Sequence, residues 1–255
     1  MKSITDPKKY LAYVMTNNTV ELPTVPERCI VSYSSALIDM AQQSFPHKTV
    51  DLGCSAPAPI YFFNPEDTPP FVMMRGLHGS PLAAVMLEEL IALGLNEFLV
   101  VGSAGHPVYN SSPTLAVGDL VIPTEAHIFE GTSGHYDKSS TASRPHHGSL
   151  KHLQNLLTDR QITYQAGPVA TTDALYRETP DFISGLARHQ VIAIDMELSA
   201  LFTVATHHHK PLAGLLYLSD LIEVSGTWHL GLLANQLTKL HPTLFTVVKG
   251  FVSAP

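Results

Sequence analysis

The sequence predicts a single α/β domain, and three observations carry that prediction. Short apolar runs alternate with helical patterns along almost the whole chain. Two of these runs lead into carboxylates, Glu197 and Asp220, at what read as strand ends. A length of 255 residues with no internal repeat and no Pro/Gly/Ser-rich linker suits one large core rather than two domains.

Taken in order, residues 1–27 read as an N-terminal extension of that single domain (1–255). CIVSYS from Cys29 and PFVMMRG from Pro70 are apolar enough to be buried strands. SPLAAVMLEELIAL, Ser80 to Leu93, is the clearest helix: Ser80 can cap it, Pro81 fits its first turn and Gly94 can end it. EFLVVGS from Glu97 predicts a strand that ends in Gly102-Ser103-Ala104-Gly105. Small residues there let backbone N–H groups and the Ser103 hydroxyl approach a ligand, although a tight turn between strands explains the same glycines. DLVIP from Asp119 and YQAGPVATT from Tyr164 are further strands. Between them, Gly131 to Gly148 has loop composition and is expected to be a mobile flap or an interface arm. VIAID, from Val191, reads as a strand passing into the helix MELSALFTVATHH, and PLAGLLYL as a strand closing on Ser219-Asp220. WHLGLLANQLTKLHPTLFTVVKGF, from Trp228, predicts a C-terminal helix interrupted at Pro242.

Strand ends at one edge of an α/β sheet converge on a ligand crevice, so Glu197 and Asp220 are expected to face one pocket. Each also has a structural reading, Glu197 as a first-turn helix acid and Asp220 as an N-cap.

Charge excludes some partners. The net charge of −7 and pI near 6.0 argue against nucleic acid or an anionic membrane surface. Cys29 and Cys54 have neither metal-type spacing nor a disulfide framework, which suggests buried thiols in a reducing compartment. No signal-peptide core or membrane-length apolar run is visible, so a cytoplasmic protein is expected. His207-His208-His209 would point in different directions on a helix, so no metal is expected there. Trp228 and Phe129 can border a pocket, although aromatic residues more often fill core or interface.

GSAG (102–105), VGD (117–119), VATTDALY (169–176), IDMELSALFTVA (194–205) and YLSD (217–220) occur in this order. In order and rough spacing they resemble the nucleoside phosphorylase family of purine nucleoside phosphorylases, uridine phosphorylases and methylthioadenosine/adenosylhomocysteine nucleosidases. The resemblance runs from about Cys29 to the C-terminal helix. It implies a central mixed, partly barrel-like sheet flanked by helices, a homo-oligomer (dimer or trimer of dimers), and cleavage of the C1′–N bond of a nucleoside. No resident cofactor is implied, with phosphate possible as co-substrate.

The resemblance implies residue roles as well. Glu197 would hold the ribose hydroxyls and favour the oxocarbenium-like transition state, while Met196 packs on the sugar. Asp220 would be the general acid toward a purine base. Ser103 and Gly105 would contact the ligand, and Thr171, Thr172 and Asp173 would brace the pocket wall. Where uridine phosphorylases read uracil with Gln and Arg, this chain has Thr179 and Asp181, which weakens the pyrimidine reading.

The acceptor side departs from the family. Tyr33 and Leu37 stand at the Gly and Arg of its first phosphate turn, and Val100 replaces a second Arg. Neutral side chains cannot replace charge-assisted guanidinium contacts. The water-activating Glu that the hydrolytic members carry near Leu37 is missing too. Arg75 and His78, in MMRGLHGSP, are the candidates to compensate, Arg75 as an anion contact and His78 as a base toward water. The leading expectation is therefore a purine-type nucleoside-cleaving enzyme with water or phosphate as acceptor. The alternatives are a non-catalytic nucleoside-binding or storage protein and a uridine phosphorylase-like enzyme.

Overall fold

In the computed structural model, which describes residues 3–52, 58–110, 114–231 and 235–253, two long strands set the frame. β5 (Glu97–Val108) and β10 (Leu212–Glu223) run parallel along nearly their whole lengths. Both are rich in Val, Leu and Ile and buried on both faces, as a central parallel pair requires. β10 also pairs antiparallel with β6 (Leu120–Phe129), β6 parallel with β8 (Gln165–Thr172), β8 parallel with β9 (Ala193–Asp195), and β9 antiparallel with β5. The circuit β10-β6-β8-β9-β5 therefore closes on itself as a mixed five-stranded barrel.

From β5 the sheet continues outward through β1 (Arg28–Ser32), β4 (Phe71–Arg75), β3 (Ile60–Phe63) and β2 (His47–Val50), of which β1 and β4 are parallel to β5. β7 (Ala142–Ser143) borders β6, and β11 (Trp228–Leu230) borders β10. One face is covered by α3 (Ser80–Leu93) and α6 (Leu198–His207), through Leu87, Leu90, Leu201 and Phe202. The other face carries α2 (Ser35–Ser44), α4 (His147–Asp159) and α7 (Asn235–Ser253), through Leu37, Leu153, Val248 and Phe251. α1 (Pro7–Asn18) buries Leu11 and Val14, with Leu11 joining the α3 side, and α5 (Pro180–Leu186) completes the set. The mixed, partly barrel-like α/β domain expected from the sequence is the fold observed. Among the described residues no helix is long and apolar enough to cross a membrane.

Several local expectations need correction. α3 has the expected bounds and Gly94 ends it in a left-handed conformation, but Gly79, not Ser80, is its N-cap. The Ser80 hydroxyl instead donates to the Met196 carbonyl at 2.9 Å. β5 does not end at GSAG: it continues to Val108, so these residues form neither a strand end nor a tight turn. β10 likewise runs three residues past Asp220, which is no N-cap. Trp228 to Leu230 form a strand, and α7 starts only at Asn235 and continues through Pro242 without a break. The N-terminal extension contains a helix docked on the domain.

The segment from Gly131 to Gly148 is irregular and exposed over most of its length but is anchored at several points. Ser133 is fully buried and its hydroxyl meets that of Thr203 at 3.1 Å, Tyr136 donates to Glu88, and His146 caps α4. Cys29 is buried in β1, where desolvation pushes its thiol up; Cys54 lies outside the described residues.

Candidate active site

A cleft of about 310 Å³ opens where β5, β9, β10 and the start of α6 meet. That volume suits a small-molecule ligand. Met196, Glu197, Ser103, Gly105, His78 and Asp220 all line it. Arg75 and Thr172 do not. Arg75 projects into solvent from the end of β4, and the Thr172 hydroxyl accepts from the Ala174 amide at 3.3 Å.

Glu197 sits at the N-cap position of α6 without capping it. Asp195 does that instead. Its Oδ2 accepts from the amides of Glu197 (3.1 Å) and Leu198 (2.6 Å), while Oδ1 accepts from the Thr171 hydroxyl at 2.6 Å. The Glu197 side chain is thereby free to turn across the cleft, where its Oε1 accepts from the Gly79 amide at 2.7 Å. The first-turn reading of Glu197 is thus replaced by a bridge from α6 to the start of α3. Burial, with the Asp195 carboxylate close by, pushes Glu197 up to about 8. Burial raises Asp195 too, but hydrogen bonds from the Thr171 hydroxyl and from backbone amides oppose it, so Glu197 is the member of the pair that takes up a proton first.

At the other end of the cleft, β10 carries a bulge. Leu218 pairs with Ala104 and Asp220 with Gly105, which leaves Ser219 as the extra residue. Consecutive strand side chains normally point to opposite faces, but at the bulge Ser219 and Asp220 both reach the cleft. Asp220 is 7% exposed and accepts two hydrogen bonds, Oδ1 from Ser219 Oγ at 2.5 Å and Oδ2 from Trp228 Nε1 at 2.7 Å. Trp228 therefore borders the cleft, whereas Phe129 packs edge-on against Phe182 outside it.

The cleft wall around Tyr33 and Val100, where the resemblance places the acceptor, carries no Lys or Arg among the described residues. The half-buried Tyr33 ring takes the space a side chain at position 76 would need: a Cβ on Gly76 would stand 2.5 Å from it. Its hydroxyl donates to the Leu77 carbonyl at 3.1 Å. Leu37, on α2, is buried in the core, and Val100 lines the cleft as an apolar residue. Ser103 borders the cleft with its hydroxyl engaged by that of Tyr217. Among the described residues, no Lys or Arg lines the cleft. His78 stands on the rim beside Glu197, Nδ1 to Oε1 3.9 Å, with its ring 70% exposed.

Residues 28–253 match the phosphorylase superfamily. The chain belongs to that superfamily. Its similarity to a guanosine phosphorylase of Halorubrum lacusprofundi is 31% identity over 127 residues, half of this chain and 51% of that protein. A DeoD-type purine nucleoside phosphorylase of Brevibacillus brevis is 29% identical over 56% of this chain and 60% of its own length. A uridine phosphorylase of Treponema pallidum is 34% identical over 43% and 41%. The aligned stretches thus span about half the length of the curated relatives. Among solved structures, a futalosine hydrolase mutant of Helicobacter pylori strain 26695 has the same fold. Its TM-score is 0.72 over 89% of this chain and 99% of that one, at 15% identity. Superfamily membership agrees with the resemblance read from GSAG, VATTDALY and IDMELSALFTVA.

Three cleft residues escape sequence reasoning. Asp195 reads there only as the end of VIAID, although an Asp three residues before a helix start can accept from its first amides. Glu178 lies among Tyr176, Arg177 and Thr179 with nothing in the sequence to aim it inward. Tyr33 stands out only as a replacement for a family glycine. Thr179 and Asp181, expected on the base side, start α5 instead, with Thr179 as its side-chain cap.

Proposed function

We propose that this protein cleaves the C1′–N bond of a purine-type nucleoside, with water as the favoured acceptor. The observation that carries the reading is the pair of buried carboxylates, Glu197 and Asp220, lining one small cleft that also holds Met196. In this reading Glu197 accepts hydrogen bonds from the ribose hydroxyls, and Met196 packs against the sugar. A carboxylate beside C1′ stabilises the positive charge that develops as the base departs. Asp220, held by Ser219 and Trp228, addresses the base. Similarity to guanosine and purine nucleoside phosphorylases supports a purine. The lack of Gln and Arg at positions 179 and 181 argues against uracil.

The acceptor wall, without Lys or Arg among the described residues, supports water over phosphate. A lost charged contact costs roughly 1.5–3 kcal/mol, so two missing guanidiniums would weaken phosphate by factors of hundreds or more. Arg75, turned away from the cleft, offers no replacement. His78, beside Glu197, is the side chain available to orient or deprotonate water.

The test is base release from a panel of purine and pyrimidine nucleosides in phosphate-free buffer, followed by phosphate titration and identification of the sugar product. Free ribose without phosphate is expected. Saturable phosphate dependence with a sugar 1-phosphate product overturns the hydrolytic part. A uridine preference overturns the purine part. Tight nucleoside binding with no base release would support the binding or storage alternative.

A further inference from the structure

A purine leaves far more easily when protonated, and the cleft holds a second carboxyl at the end where Asp220 lies. Both Asp220 oxygens already accept hydrogen bonds, from Ser219 and Trp228. Those two donors engage Asp220 as an acceptor. Glu178, on the turn between β8 and α5, lines the same cleft with Leu175, Tyr176 and Trp228. It is half-buried, and among the described residues no hydrogen-bond donor or acceptor engages its carboxyl.

Resting on the nucleoside-cleaving reading, we propose that Glu178 is the general acid of the reaction, handing its carboxyl proton to a ring nitrogen of the departing base. Asp220 accepts a hydrogen bond from the same base. The C1′–N bond breaks and its electron pair leaves with the base. The Glu178 O–H bond breaks as the new N–H bond forms. Water bonds to C1′ and releases one proton, and the Glu178 carboxylate regains one from solvent, so the balance is neutral.

The electrostatics agree. Burial, reinforced by the Asp220 carboxylate, pushes Glu178 up to about 7, so near neutrality it holds a proton it can still give up. The other titratable groups on the cleft are His78 and Tyr33 on the acceptor wall, Asp195 and Glu197 at the start of α6, and Tyr176 on Glu178's own turn. Arg177, the adjacent cation, is exposed.

The experiment measures kcat/KM against pH on guanosine and on 7-methylguanosine, whose cationic base departs without a proton. Glu178→Gln is expected to lose on the order of 10²-fold or more on guanosine, little on 7-methylguanosine, and to lose the alkaline fall in activity. Glu178→Asp should restore part of that fall, and Asp220→Asn should keep it. Equal losses on both nucleosides in Glu178→Gln, with the alkaline fall intact, would reduce Glu178 to a wall residue. Loss of the fall in Asp220→Asn alone would hand the proton to Asp220. If the wild-type protein cleaves these nucleosides and Glu178→Gln matches it, this assignment fails and the nucleoside-cleaving reading stands. No base release from either nucleoside overturns both.

Discussion

Glu197 and Asp220 both lie in buried, apolar surroundings, yet they are supported differently. Glu197 is held from outside its own helix by the Gly79 amide, which donates to its Oε1. Replacing it with Gln keeps the shape but removes the charge. Glu197→Gln should fold normally and lose on the order of 10²-fold in kcat/KM on a purine nucleoside. Near wild-type activity would make Glu197 a structural bridge between α6 and α3. Asp220 depends on Trp228, whose indole is its donor across the β10–β11 pair. Trp228→Phe keeps an aromatic wall but removes that donor, and a lost hydrogen bond to a charged group predicts roughly tenfold weaker kcat/KM. A change confined to KM for every nucleoside alike would point to lost stacking instead. That Glu197 and Asp220 face one pocket was legible in the sequence, from acids beside buried runs. Their hydrogen-bond partners were not, because Gly79 and Trp228 reach them through tertiary contacts.

At the scale of elements, the bulge in β10 is what brings both Ser219 and Asp220 to the cleft. Gly105 on β5 is its counterpart, opposite Asp220. A Cβ at Gly105 would stand 2.7 Å from Ile222 Cδ1 and 3.1 Å from Asp220 Oδ2. Gly105→Ala is therefore expected to destabilise the fold by about 1–3 kcal/mol through overpacking and to lower kcat/KM by displacing Asp220. Thermal unfolding and kinetics together check this; unchanged activity in a destabilised protein would separate the bulge from the chemistry. The sequence placed Gly105 near a ligand but took GSAG for a strand end. The run VVGSAGHPV looks terminal because glycines usually punctuate strands. Here they sit mid-strand, where the closed barrel brings neighbouring backbone and side chains close.

For the whole molecule, burying Glu197 and Asp195 together ties stability to pH. Glu197 ionises at its ordinary 4.5 when unfolded and at about 8 when folded. Folding thus favours the protonated form. The contribution is complete below about 4.5 and is lost as pH rises through about 8. Tm of the ligand-free protein should therefore fall between those values, and Glu197→Gln, which cannot ionise, should show a shallower fall. An equal slope in both proteins would remove Glu197 as its source. A nucleoside whose hydroxyls donate to the Glu197 carboxylate would oppose the trend, stabilising the protein more as pH rises.

The sequence by itself determined the alternation of strand and helix, the bounds of α3, and the two acids destined for one cleft. Those features are written in local periodicity and punctuation, which need only neighbours along the chain. Barrel closure was decided only by tertiary structure, because β5 and β10 pair across more than a hundred residues with no local mark of register. The same holds for the base-side wall. Glu178, Asp220 and Trp228 come from three separate segments, and only the packed barrel brings them to one cleft. It is burial in that cleft, absent from any single stretch of chain, that raises the Glu178 carboxyl from its ordinary value to about 7.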